Sequence, residues 1–422
     1  MDENEKPFIS SPRRRFWRMA SLPLLVTFLA VLIMLALVML APVGSKAEVG
    51  APLVDSYQYF PIIFNFSRSY ILIGWNNLGM HCYDLNYADM AVLPPYNTIW
   101  AQVIQRGNPP IILDQGVSVT YSIRDNSESA SKTDFWVHAQ DLFGLPSPLA
   151  PNIGLTGKGM SGEMDRSNDY FIAEGIPLTE FRDSALTVPY YYQLADLVAK
   201  DSATGRVLAT TTIVAPVSSE MRCFDCHNEP NANFRLNILA KHDEEEGTNL
   251  MGQRPVLCAD CHGDPALGKP NHPGIPALSA AMHGKHAEEG VGPGDCYACH
   301  PGPQTRCLRD VMAQSASQIW CTDCHGHLSD LGNSSRVPWQ DEPRCGNCHA
   351  AQFAENPGTL YRDSTGHGGL YCESCHNSTH AILPSREGND NLQSIALQGY
   401  AGTIGTCTVC HITQPSGIGP HQ

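Results

Sequence analysis

The sequence predicts three consecutive parts: an N-terminal transmembrane or signal helix, a β-rich, sandwich-like domain, and a C-terminal domain of short helices and loops with little regular structure. Three observations predict this order. A long apolar run lies near the N-terminus, period-two patterns recur in the middle, and a motif with two cysteines recurs within residues 221–422. A chain of 422 residues is long enough for two or three domains. Its formal net charge of −15 makes nucleic acid and anionic membrane surfaces poor partners.

The N-terminal segment predicts export. Residues 1–20 contain four arginines and form a basic region expected in the cytoplasm, and residues 21–47 contain the apolar run Leu22–Ala41. Twenty apolar residues can span a bilayer as a helix, and the positive flank stays inside. A secretory signal is the competing interpretation, because Ser45–Ala47 has the small residues of a cleavage site. Both interpretations place the rest of the chain at the periplasmic face of the inner membrane or outside the cell.

Residues 50–220 contain none of the repeated motifs and have the pattern of strands. Apolar and polar residues alternate through Val117–Ile123, which is the period of a half-buried strand. Residues 144–190 are rich in Gly, Pro and Ser and are expected to be a long surface excursion. We interpret this domain as a docking or assembly module. Further strands are predicted at Ser69–Trp75, Ile99–Ile104 and Phe135–Ala139, with a hairpin of Leu194–Lys200 and Arg206–Val214 around a turn at 201–205.

The repeated motif is C-x-x-C-H, and it occurs seven times. This spacing is the attachment signature of c-type haem. The two thiols form thioethers with the porphyrin, and the histidine binds the iron from one side. The seven copies are Cys223, Cys226 and His227; Cys258, Cys261 and His262; Cys296, Cys299 and His300; Cys321, Cys324 and His325; Cys345, Cys348 and His349; Cys372, Cys375 and His376; and Cys407, Cys410 and His411.

Zinc sites and disulfides are the alternative uses of such cysteine pairs. Zinc is bound by C-x-x-C pairs, but neither zinc nor a disulfide explains a histidine directly after every second cysteine. The histidines make up only 17 of 422 residues, so seven such positions do not arise by chance. Residues 221–422 are therefore predicted to be a multihaem cytochrome c domain with seven covalently attached haem c groups, in which the porphyrins supply most of the apolar interior.

The second axial ligand of each haem decides what the domain does. A haem with protein ligands on both faces transfers electrons, whereas a haem with an open face binds and transforms small molecules. Outside the motifs, histidines near the motif cysteines are the expected distal ligands: His242, His283, His286, His327, His367 and His380. The other histidines of this region and His138 are expected to be structural or solvated, and methionine is the alternative ligand type.

Two further predictions connect the two domains. Seven irons need a seventh distal ligand, and we expect His81 of the strand-rich domain to supply it. The alternative is that His81 is a surface loop residue and that His272, His421 or a second subunit completes the set. Cys82 and Cys307 are the two cysteines outside the motifs, and in an oxidising compartment they form one candidate disulfide. Two buried thiols are the alternative for this pair.

The chain resembles the multihaem c-type cytochromes of bacteria and archaea that respire on extracellular or periplasmic acceptors. The resemblance rests on the seven motifs and their flanking histidines, as in GHGGLYCESCHNSTH, and covers residues 221–422. It implies an exported electron-transfer protein, with other redox proteins or a terminal electron acceptor as partners in anaerobic respiration. All seven motifs end in histidine, which argues against the nitrite- and hydroxylamine-handling relatives.

The leading expectation is an electron carrier or conduit rather than an enzyme, with mostly bis-His haems. A multihaem reductase with one open haem is the first alternative. A filament-forming extracellular subunit, assembled through the strand-rich domain, is the second.

Overall fold

In the computed structural model, the described residues are 69–228, 233–292, 295–315, 318–417 and 419–421. The predicted cytoplasmic region and transmembrane or signal segment lie outside these ranges. Among the residues that are described, no helix has the length and apolar character needed to cross a bilayer. The described residues all belong to one compact unit.

The first sheet is antiparallel and is built mainly from the two earliest predicted strands. Its order is β1-β4-β9-β8, and β5 pairs with β4. The predicted strands at Ser69–Trp75 and Ile99–Ile104 are confirmed with boundaries shifted by about one residue. The bounds are β1 Tyr70–Asn76, β4 Thr98–Gln105, β5 Ile111–Leu113, β8 Asp165–Ser167 and β9 Tyr170–Glu174.

The second sheet contains the predicted hairpin. Its order is β2-β13-β12-β6-β7, in which β2 runs parallel to β13. The Asp201 carboxylate accepts hydrogen bonds from the backbone N–H and hydroxyl of Thr204, and this closes the turn between β12 and β13. The bounds are β2 His81–Cys82, β6 Val117–Ile123, β7 Ser161–Glu163, β12 Tyr192–Asp201 and β13 Val207–Ser218.

The two sheets pack face to face around one apolar core. Leu72 and Val103 of the first sheet lie in the same buried cluster as Leu197 and Ile213 of the second. At Gly74 of the first sheet, an added Cβ would lie 2.4 Å from Leu197 Cδ1 of the second. A larger residue there would overpack the core. The β-rich prediction for the middle of the chain is confirmed.

One predicted strand is wrong. Phe135–Ala139 belongs to helix α1, Phe135–Phe143. The aromatic and β-branched residues of this segment favour a strand, but its buried residues are Phe135, Ala139 and Leu142. Their spacing of four and three is that of a helix face, and packing on that face decides the conformation.

The prediction of a surface excursion at 144–190 is also wrong in part. Short strands run through it, and Phe171, Ile176 and Leu178 are buried in the core between the sheets. The Gly, Pro and Ser content reflects the tight connections between these strands rather than an excursion. The remaining short strands are β3 Met90–Ala91, β10 Phe181–Arg182, β11 Ala185–Pro189 and β14 Val256–Leu257.

From Cys223 onward the described chain has short helices and loops, as predicted. The last long strand ends at Ser218, and among the later described residues only Val256–Leu257 form a strand. The predicted domain boundary at 220 stays a prediction. The α-helices are α2 Phe234–Glu246, α3 Ala259–His262, α4 Leu278–Glu288, α5 Val311–Gln314, α6 Cys321–His325, α7 Leu328–Leu331, α8 Cys372–His376 and α9 Leu392–Gln398. The 3₁₀ turns are Cys223–Asp225, Leu250–Gly252, Pro265–Leu267, Cys296–Ala298, Cys345–Asn347, Ala351–Phe353, Tyr361–Asp363, His367–Gly369, Gly388–Asn391 and Cys407–Val409.

The outer face of the first sheet packs against the last motifs. Trp75 and Trp100 share an apolar cluster with Tyr371 and Val409. The ring centres of Trp75 and Tyr371 are 5.8 Å apart, and those of Trp100 and Tyr371 are 5.4 Å apart. Tyr371 directly precedes Cys372, and Val409 lies inside the last motif. The sheet therefore fixes the positions of these two motifs.

Candidate functional site

Each of the seven motifs forms a single helical turn. In the first motif, for example, the His227 N–H donates to the Cys223 carbonyl over 2.9 Å, and the fifth motif has the same bond from His349 to Cys345 over 2.8 Å. Residues three and four apart lie on one side of such a turn. The spacing therefore presents both thiols and the histidine ring of each motif in the same direction.

Six of the seven motif histidines face a second histidine. The separations between ring centres fall between 5.7 and 6.3 Å. The second ring comes from a different part of the chain in every case. The pairs are His227 with His286, His262 with His242, His300 with His283, His325 with His380, His376 with His421, and His411 with His367.

These separations fit a metal ion shared by two imidazoles. Two nitrogens bound at about 2 Å to one metal hold the ring centres roughly 6 Å apart. Packed aromatic rings also reach such separations, as Trp75 and Tyr371 do at 5.8 Å, so it is the recurrence of a second histidine at six motifs that indicates a shared metal ion. The residues present therefore fit haem iron with a histidine on each face.

Helix α4 carries two of the second histidines. His283 Nδ1 donates to the Ser279 carbonyl and His286 Nδ1 donates to the Met282 carbonyl, each over 2.7 Å. A histidine that ligates a metal usually donates its other ring N–H to a carbonyl or carboxylate. These bonds leave Nε2 of both rings free to face the motif histidines.

Motif histidines are oriented in the same way. His262 Nδ1 donates to the Pro276 carbonyl over 3.1 Å, and His227 Nδ1 lies 3.2 Å from Asn237 Oδ1. His376 Nδ1 lies 3.3 Å from the Thr403 hydroxyl. Partners at Nδ1 fix the ring plane before any metal is bound.

The motif thiols form a continuous row. Burial raises the pKa of nine of them. For seven of the nine a thiol of another motif lies near enough for its charge to raise the pKa further, and one of the seven, Cys299 beside Cys226, connects the first and third motifs a second time. The pairs of neighbouring thiols place the motifs in a row in the order second, first, third, fourth, fifth, sixth and seventh. The neighbouring thiols are Cys258 and Cys223, Cys223 and Cys299, Cys321 and Cys296, Cys324 and Cys348, Cys345 and Cys372, and Cys410 and Cys375.

Two predicted distal ligands do not face a motif histidine. His81 is buried against Tyr96, with ring centres 6.0 Å apart, and burial lowers the pKa of His81 to about 3. Its Nε2 has no hydrogen-bond partner in the described part of the chain. His327 is exposed at the start of α7. Their assignment as ligands stays a prediction, and the arrangement gives it no support.

His421 is a site residue that the sequence reasoning gave only as an alternative to His81. Its ring lies 5.7 Å from that of His376 and 5.4 Å from that of Phe353, measured between ring centres. Its place near the end of the chain favours a solvated residue. No local pattern connects it with a motif 45 residues earlier.

The predicted disulfide is wrong, because Cys82 and Cys307 are both unbonded. They are nevertheless neighbours. Burial raises the pKa of Cys82, and the charge of Cys307 raises it further. Cys307 Sγ lies 3.7 Å from His380 Nδ1, so this thiol packs against a histidine that faces the fourth motif. Both cysteines are partly buried, so the arrangement is nearer to the alternative of two buried thiols.

No curated protein and no solved structure shows a match to the chain. One family does match, over the part that carries the last three motifs. Residues 331–412 match Cytochrome c7 and related cytochrome c. This part of the chain is therefore similar to a multihaem electron-transfer cytochrome with covalently bound haem c.

Proposed function

We propose that the protein is an exported seven-haem c-type cytochrome that carries electrons between respiratory partners. Fourteen motif cysteines attach the haems, and seven motif histidines bind them on one face. The proposal rests mainly on the six histidine pairs, because ligands on both faces suit iron for electron transfer rather than for substrate chemistry. When bound, haem c supplies one-electron chemistry. Two histidine ligands keep its reduction potential low, because a methionine ligand would raise it.

We number each haem after its motif in chain order and propose the row 2-1-3-4-5-6-7. The neighbouring thiols support this order, since thioether bonds fix each porphyrin edge beside its motif. The two histidines of α4 support the junction of haems 1 and 3, because one short helix faces both motifs.

The partners are proposed to be other redox proteins or a terminal electron acceptor. The net charge of −15 favours basic partner proteins, because opposite charges attract. Location at the periplasmic face or outside the cell follows from the apolar N-terminal segment.

The first test counts haems and ligands in the intact protein. Mass spectrometry should find seven haems per chain, and a reductive titration should take up seven electrons. His242→Ala should convert one haem from low to high spin without lowering the haem count. His272→Ala is the matched control, because His272 is exposed and faces no motif histidine. A wild-type low-spin count in the His242 variant would contradict the pairing.

The second test concerns the row. Replacing Cys321 and Cys324 with Ser removes haem 4 from the middle, whereas replacing Cys258 and Cys261 removes haem 2 from one end. After partial photoreduction, the first variant should redistribute electrons in a fast and a much slower phase. The second variant should keep a single fast phase. Identical behaviour of the two variants would overturn the order.

A further inference from the structure

The fifth motif differs from the other six in its surroundings. All 17 histidines of the chain lie in the described residues. Twelve of them form the six pairs, and His349 of the fifth motif makes no ring contact with another histidine in the described chain. The fold thus brings a second histidine ring to six motif histidines but, in the described chain, not to His349.

The four other histidines are held elsewhere. His81 is buried against Tyr96. His138 lies on α1, with Nε2 3.8 Å from the Asp134 carboxylate. His272 is fixed in a turn through its N–H, which donates to the Cys261 carbonyl over 2.9 Å. His327 begins α7, and its N–H donates to the Asp330 carboxylate over 2.8 Å.

The fifth motif also lies at the surface. All residues from Gly346 to Ala350 are exposed, His349 included. Phe353, in the next turn, keeps 52% of its surface exposed. In the described chain, no other segment encloses these residues.

We propose that the haem attached at Cys345 and Cys348 has an open distal face and binds a small exogenous iron ligand. The ligand class is neutral or anionic small molecules that coordinate haem iron, with carbon monoxide as the probe for the reduced protein and cyanide for the oxidised one. The inference rests on the proposed haem attachment. Because Cys324 and Cys372 flank this motif in the row, a ligand bound here lies between two electron-transfer haems.

The first experiment separates this inference from the proposed function. Seven haems by mass establish attachment, and a smaller number contradicts the proposed function itself. With seven attached, electron paramagnetic resonance of the oxidised protein should show one high-spin haem and six low-spin haems. The reduced protein should then bind one carbon monoxide per chain.

Two variants locate the site. Replacing Cys345 and Cys348 with Ser should abolish carbon monoxide binding and leave six low-spin haems. Replacing Cys258 and Cys261 is the matched control and should leave binding intact. If the first variant does not fold, His349→Met keeps both attachment cysteines. It should shift the carbon monoxide stretching frequency, because the ligand opposite the bound gas changes.

Seven low-spin haems and no carbon monoxide binding would overturn the inference. In that case His327→Ala or His81→Ala should create a high-spin haem and so identify the missing ligand. A high-spin signal that disappears as the protein concentration rises would also overturn it, because a second copy would then supply the ligand. Carbon monoxide binding that is unchanged in both variants of the fifth motif would place the open face at another haem.

Discussion

The buried ion pair of Arg309 and Asp390 offers a sharp test of how the C-terminal region is stabilised. Arg309 Nε and one terminal nitrogen donate to the two carboxylate oxygens over 2.6 and 3.0 Å. The side chains keep only 2% and 0% of their surface exposed. The other terminal nitrogen donates to the Gly79 carbonyl over 2.8 Å, and the Arg309 N–H donates to the His380 carbonyl. Arg309 thus joins the strand-rich region, through its guanidinium, to the loop that carries His380, through its backbone N–H.

We expect Arg309→Met to lower the free energy of unfolding by about 3–5 kcal/mol, because it leaves a buried carboxylate unpaired. Only the Ser385 hydroxyl would still donate to the Asp390 side chain, over 2.5 Å, and the Gly79 carbonyl would lose its donor. Urea denaturation of the haem-loaded protein, followed by far-ultraviolet circular dichroism, measures the loss.

Two further variants decide whether the unpaired Asp390 carboxylate causes the loss of stability. Arg309→Met combined with Asp390→Leu should recover much of the loss, because removing both partners is far less costly than removing one. Arg166→Met is the surface control: its bond to Asp114 is 3.2 Å long and both side chains are 40% or more exposed, so the loss should stay below about 1 kcal/mol. A loss below about 1 kcal/mol for the buried variant would refute the reasoning. A double variant as unstable as the single one would do the same.

Two other predictions follow from single residues. His421→Ala should add one high-spin haem to the wild-type count while the haem number stays at seven, and an unchanged spectrum would remove His421 from the ligand set. Burial raises the pKa of Asp84 from 3.8 to about 6, so the folded protein binds this proton more tightly than the unfolded chain. Asp84 therefore makes its full contribution to the free energy of unfolding below about pH 4. This contribution, about 3 kcal/mol in total, is lost as the pH rises through 6. Asp84→Asn should therefore gain stability relative to wild type between pH 4 and 7, and parallel pH curves for the two proteins would exclude this role.

Local patterns predicted the parts of the fold that depend on neighbours in the chain. The alternation in Val117–Ile123 predicted β6, because residues two apart share a face of a strand. His283 and His286 were predicted as ligands because they lie near motif cysteines in the sequence, and their spacing of three places both on one side of α4. The strand predicted at Phe135 failed because packing of one helical face outweighed intrinsic preference.

Contacts between distant segments could not be predicted in this way. The approach of His421 to His376 depends on the whole course of the chain between them. The unbonded state of Cys82 and Cys307 depends on how two separate regions pack, since counting spare cysteines takes no account of geometry.

The histidine pairs also have a consequence for the polymer itself. His227 and His286, His325 and His380, and His376 and His421 each join positions that are far apart in sequence. A metal ion held between two such positions is a cross-link, and cross-links that close long loops remove the most entropy from the unfolded chain. Helix α4 takes part in two loop closures, so the segments around the first and third motifs form one small network. With iron bound as proposed, each pair would stabilise the fold as a disulfide does, and the order in which loops close would follow the order in which the irons acquire their second histidine.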